Sequence, residues 1–235
     1  MLFSATVSFV TAAIVGATGL MAVSKAPSWR YLPFAAIPLL FATQQIIEGL
    51  IWQRLSDGGL SPDIPSLAGS FVFIAEAVWP IFIPLAIVLI EPDRWRQYAL
   101  IVLAISGLII FLFFTSLIAV GTYDAAVEGD CIRYSGCVEL PQNFSLYPFS
   151  SGHRWTFSDL EWTTVPFTLV TVGALLVSSD RYVRWFGYLA GLGIVAAIAI
   201  QPSAFVSVWC FFAALASLTV VYAVLKARAR LNEAT

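Results

Sequence analysis

A chain of 235 residues that is 60% hydrophobic and 11% charged departs far from soluble domains, which run about 45–50% apolar and about 25% charged. Its mean hydropathy of +0.87 belongs with membrane proteins. The formal net charge of −2 comes with no basic cluster able to track phosphates, so no nucleic-acid partner is expected.

Apolar runs long enough to cross about 30 Å of hydrocarbon, roughly 17–25 residues each, fall at about 5–24, 31–54, 66–90, 97–120, 162–178, 183–200 and 203–225. The expected fold is all-α, a single integral membrane seven-helix bundle over 1–235. The first run lacks a basic leader, and Lys25 and Arg30 follow it, the pattern of a retained span rather than a signal peptide. Alternate connections collect Lys25 and Arg30, then Arg94 and Arg96, then Arg181 and Arg184, then Lys226, Arg228 and Arg230. Basic residues favour the cytoplasmic side, so the N-terminus is expected outside and the C-terminus cytoplasmic.

The third span carries Pro80 and Pro84, which should interrupt it near Trp79. Gly187 and Gly191 in the sixth allow close helix approach, within the monomer before between copies. The long connection 121–161 then lies outside. It is acidic and aromatic, with Tyr123, Tyr134, Tyr147, Trp155 and Phe157, and is expected to be an ordered cap over the outer helix ends. It holds a glycosylation sequon, Asn143-Phe144-Ser145. Cys131 and Cys137 share this loop, and on an oxidising face a disulfide is expected; the rival, a zinc site, lacks a second Cys/His pair. The lipid bilayer is the expected partner of such a chain. A protein partner docking through the aromatic loop is the further one.

The second span contains Gln44-Gln45-Ile46-Ile47-Glu48-Gly49-Leu50-Ile51-Trp52, polar where a spanning helix should be oily. Such groups face a bundle interior or a wet cavity and mark function. Glu48 lies about 9 Å below the outer boundary, with Gln44 a turn deeper on the same face; Glu76 lies about 15 Å down the third span, and Ser207 and Cys210 about 6–11 Å down the seventh. Gln44, Gln45, Glu48, Glu76, Ser207 and Cys210 therefore form the expected ligand-binding set. No Lys or Arg lies at that level, so the two carboxylates must share a proton or hold a cation. The alternative is hydrogen-bonded glue between helices, and Cys210 also reads as a small buried hydrophobe. His153, the single histidine, could complete a metal set with Glu48 and Glu76, or be a solvated loop residue.

Met1-Leu2-Phe3-Ser4-Ala5 resembles the start of an uncharacterised family of bacterial multi-pass membrane proteins beginning Met-Cys-Phe-Ser-Ala. Leu39 to Gly49, with Trp52, is similar to that family's QQxxEGxxW segment. Trp79-Pro80 through Glu91-Pro92 is similar to its third span, and Ser207-Val208-Trp209-Cys210 to its last. The resemblance implies a bacterial cytoplasmic membrane location. Leu2 stands where the family carries cysteine, so any contribution of that thiol to an outer site is missing here.

Known seven-span classes can be tested on residues. A retinal protein needs a lysine deep in the last span, which has only Lys226 at its end. One histidine excludes the zinc set of ceramidase-like hydrolases and paired-histidine haem. No glycine-rich phosphate loop is present. Catalytic residues are unassigned, and three classes stay open: binding, sensing or transport of a proton, cation or small polar ligand; an accessory subunit of a larger membrane complex; or an enzyme with Glu48 as general base.

Overall fold

The computed structural model describes residues 3–58, 61–138, 153–156 and 161–233. Among the described residues the helices are α1 (Ala5–Ser24), α2 (Trp29–Ser56), α3 (Ile64–Val88), α4 (Arg94–Val120), α5 (Glu161–Val177), α6 (Arg181–Ile200) and α7 (Pro202–Glu233). Six are long and apolar enough to cross a membrane, and α5 carries a shorter apolar stretch, Val165–Val177. Side-chain caps start several of them: Ser4 Oγ accepts from the Val7 N–H, Asp93 from Trp95 and Asp180 from Tyr182, each satisfying an N–H that the helix leaves orphaned.

Consecutive helices pack against one another, and α7 closes the bundle by returning to α1 and α2. Large apolar side chains remain outside, including Val102 and Ile109 on α4 at 62% and 65% exposure and Leu192 and Val195 on α6 at 64% each. An apolar surface of this extent suits lipid contact rather than water. Gly187 packs on Leu175 and Leu176 of α5, and Gly191 faces Val172, so the GxxxG pair serves packing within the chain.

The interruption expected near Trp79 takes the form of a π-helical segment, Phe73–Val78. Pro80 has no N–H to offer the Glu76 carbonyl, and Pro84 none for that of Pro80, so the regular ladder fails here. Gly107 of α4 comes up against the Pro80 carbonyl, and a Cβ built on it would lie 2.0 Å from that oxygen. Only glycine permits this approach. Gly107→Ala should therefore cost about 1–3 kcal/mol by overpacking and lower the melting temperature in detergent. Ser106→Ala, on an exposed neighbour bonded only to its own helix, should change it little.

The all-α expectation misses a sheet. The strands β1 (Gly121–Glu128), β2 (Cys131–Val138) and β3 (His153–Thr156) pair antiparallel in that order, with Glu128 opposite Cys131 and Val138 opposite His153. β1 packs on the start of α3 and β2 on the start of α7, so the hairpin lies across these helix ends, as a cap would. Tyr134 stacks on Phe71 at 4.4 Å. The hairpin tip is latched to α7, Glu128 accepting from Ser203 Oγ at 2.7 Å and pairing with Arg133 at 2.9 Å. The sequon and much of the aromatic loop, like Leu2, lie outside the described residues.

The expected disulfide between Cys131 and Cys137 is corrected. Both sit on β2, six residues apart in one extended strand. At about 3.3 Å per residue they stand about 20 Å apart, whereas a disulfide needs Cα atoms about 4.4–6.8 Å apart. Cys131, Cys137 and Cys210 are all free thiols. Denatured protein prepared without reductant should accordingly titrate three thiols per chain with a chromogenic thiol reagent; a count of one would restore the bridge.

Candidate functional site

The polar side chains of α2 meet α7 as two rungs of an antiparallel ladder. Toward the hairpin, Ser207 Oγ donates to Glu48 Oε1, while Gln45 Nε2 donates to Glu48 Oε2 at 2.9 Å. One turn further along, Gln44 Nε2 donates to Cys210 Sγ at 3.1 Å. The spacing explains the match: four residues on α2 and three on α7 advance about 6 and 4.5 Å, so both pairs meet across helices running in opposite directions.

α3 supplies a third wall. Trp79 Nε1 donates to Gln44 Oε1 at 3.1 Å, and its ring stacks on Phe41 of α2 at 4.1 Å. Glu76, in the π-helical segment, is 8% exposed and makes no hydrogen bond among the described residues. Cys210 lies within electrostatic reach of both Glu48 and Glu76. Gly49 beside Glu48 lets α1 in: a Cβ there would come within 2.7 Å of the Phe9 ring. Trp209, in the same helix segment as Ser207 and Cys210, faces away and donates to the Ala190 carbonyl of α6.

The hairpin supplies the lid. Tyr134 is 3% exposed, its hydroxyl has no partner among the described residues, and it senses the charges of Glu48 and Cys210. Burial first, then those two groups, pushes the Tyr134 hydroxyl well above its ordinary range, so it stays neutral and available as a donor. Burial likewise raises the Cys131 thiol from 9.0 to about 11, with Asp130 and then Glu48 adding to it. Between those values the unfolded chain has lost a proton that the folded chain keeps. The thiol's contribution to stability is therefore complete below about pH 9 and disappears as pH rises through about 11. Alkylation of folded protein at neutral pH should be slow at buried Cys131 and faster at half-buried Cys137, and the gap should close in denaturant.

The structure thus brings Gln45, Glu48 and Ser207 into one hydrogen-bonded set and Gln44 and Cys210 into a second, one turn along, with Glu76 beside them. It adds Trp79 and Tyr134, which the sequence presents only as a span aromatic and a loop aromatic. Among the described residues no three His, Cys, Asp or Glu side chains come together as a metal site. The side chain of His153 lies outside the described part of the structure, and with it the expected Glu48, Glu76 and His153 set.

A family model described as a family of unknown function, DUF6629, matches residues 1–147 and 150–234. The chain belongs to the DUF6629 family. No curated protein and no solved structure matches it. For this DUF6629 chain, chemistry must therefore be read from the cluster itself. Glu48 accepts from two donors, and the buried Gln45 Oε1 has no hydrogen-bond partner among the described residues. A buried acceptor beside a carboxylate suits a proton-bearing or positively charged group.

Proposed function

We propose that this DUF6629 protein is an integral membrane protein of seven spans, N-terminus outside and C-terminus cytoplasmic, that takes up a proton, a cation or a small polar ligand at Glu48 beneath the β1–β2 hairpin. The observation that carries the reading is a carboxylate 3% exposed with no Lys or Arg at its level in any span. In a bilayer such a group is stable only when neutralised, and ionisable groups inside a span mark sites where the neutralising species matters. Nine of the 12 basic residues fall on one side of the expected spans, which supports the orientation. The fifth span, the shortest, completes an odd number of crossings.

Orientation is tested with single cysteines introduced at Gly58 and Arg228 in a chain whose native cysteines are replaced by serine or alanine. An impermeant reagent added to intact cells should label position 58 and spare position 228; the opposite result would overturn the topology. The site is tested by melting purified protein across pH and in sodium, potassium and calcium salts at constant ionic strength. At least one of these variables should shift the melting temperature in wild type and not in Glu48→Gln. Equal responses in both proteins would remove Glu48 from the reading.

A further inference from the structure

At the end of the bundle opposite the hairpin, a cavity of about 260 Å³ is lined by residues from four parts of the chain, among them Tyr31, Phe34, Ser179, Asp180, Val183 and Arg230. Its floor is the turn between α5 and α6, which is unusually well held. Arg96 donates to the Val177 and Ser178 carbonyls at 2.6 and 3.1 Å, and Arg184 to those of Ser178 and Ser179 at 2.8 and 2.9 Å. From the other side Glu91, 3% exposed, accepts from Ser178 Oγ at 3.2 Å and the Ser179 N–H at 2.8 Å, and from the Asp93 N–H at 3.3 Å.

Both carboxylates here are committed. Glu91 has donors on each oxygen, and Asp180 accepts from the Tyr182 N–H on Oδ1 and from Arg230 on Oδ2. What remains unused in the cavity is donors. Arg230 has spent one N–H of its five on Asp180, and the Tyr31 and Ser179 hydroxyls make no hydrogen bond among the described residues. Tyr31 lies within electrostatic reach of Asp180, Arg230 and Glu91, so these donors converge. Three guanidiniums meet three carboxylates around this turn, Arg96 pairing with Asp93 at 3.5 Å and Arg230 with Asp180 at 3.1 Å, so what the cavity offers a ligand is its spare donors rather than an excess of charge. Phe34, Ile90, Val183 and Ala223 form an apolar wall.

We propose that this cavity binds a phosphate ester, held by Arg230 and the Tyr31 hydroxyl. A guanidinium with free donors beside neutral hydroxyls matches phosphate oxygens, and basic pockets between helices at a membrane surface take lipid headgroups. The volume, below the roughly 300–1,000 Å³ of drug-sized sites, fits a headgroup rather than a cofactor. The site is remote from Glu48 and stands independently of the reading given for it.

The experiment melts detergent-solubilised full-length protein against phosphatidylglycerol, diacylglycerol with the same chains, and inorganic phosphate. Phosphatidylglycerol should raise the melting temperature saturably and diacylglycerol should not. Arg230→Gln and Tyr31→Phe should each weaken the apparent affinity by about tenfold, the loss of one charge-assisted hydrogen bond, while Arg228→Gln, exposed on the same helix, should not. Saturable binding of inorganic phosphate with the same dependence on both residues would assign the site to a soluble phosphate. Binding of neither phosphate species, equal stabilisation by diacylglycerol, or equal effects of Arg228→Gln and Arg230→Gln would overturn it. The phenylalanine variant guards against misfolding, since it removes one oxygen and no packing.

Discussion

Glu48→Ala should lower stability by about 3 kcal/mol or more, while Glu48→Gln should fold as well as wild type and lose its response to protons or cations. The alanine variant removes a buried side chain and strands two donors, Ser207 Oγ and Gln45 Nε2. Each buried donor left without a partner costs about 1–3 kcal/mol, and the cavity adds to this. Glutamine keeps the volume and an acceptor oxygen while removing the charge that a bilayer penalises. The comparison therefore separates two roles that the structure superimposes. If Glu48 were only glue between α2 and α7, glutamine and wild type would behave alike under every ionic condition. Melting of the three proteins side by side, with retention of monodisperse elution as the check on folding, decides between them.

Tyr134 carries the second large effect, and its two variants should move in opposite directions. Tyr134→Ala deletes a ring stacked on Phe71 and only 3% exposed, a change that costs about 3–5 kcal/mol in a packed core. With it the hairpin loses one of its contacts with α3, and Cys131 should become reactive in the otherwise folded protein. Tyr134→Phe keeps the stack and removes a buried hydroxyl that has no partner among the described residues. Relieving such a group is worth about 1 kcal/mol or more, so this variant should melt higher than wild type. A lower melting temperature for Tyr134→Phe would show that the hydroxyl already has a partner, and the lid would then need another explanation. Should the phenylalanine variant be more stable yet lose the cation or proton response, the hydroxyl is retained for function at the expense of stability.

Much of this was legible in the chain, for reasons that can be named. Six long apolar runs survive as helices because a 20-residue oily segment has few alternatives in lipid. The polar cluster was legible because Gln44, Gln45 and Glu48 break such a run, and because helical rise places Ser207 and Cys210 at the matching depth. The sheet was not. Residues 121–138 alternate too weakly to separate a strand from an ordered loop, and the pairing of Tyr123 with Gly136 or Thr122 with Cys137 is a tertiary fact. The disulfide expectation failed for the same reason: six residues in a loop can bring two thiols together, but six in a strand hold them apart. The Glu91 network was missed because its partners, Ser178 and Ser179, lie nearly ninety residues away, and nothing local in Glu91-Pro92 announces them.

The charge carried by Glu48 in the folded protein is the central matter, and infrared difference spectroscopy reads it directly. Protein reconstituted in vesicles would be exchanged between buffers that differ in pH, then in sodium, potassium and calcium, with Glu48→Gln providing the assignment. The proposed site requires a carboxyl band that is present in wild type, absent from Glu48→Gln, and altered by at least one of these exchanges. A band that never changes, or difference spectra identical in the two proteins, would contradict it and leave Glu48 as a structural tie between α2 and α7.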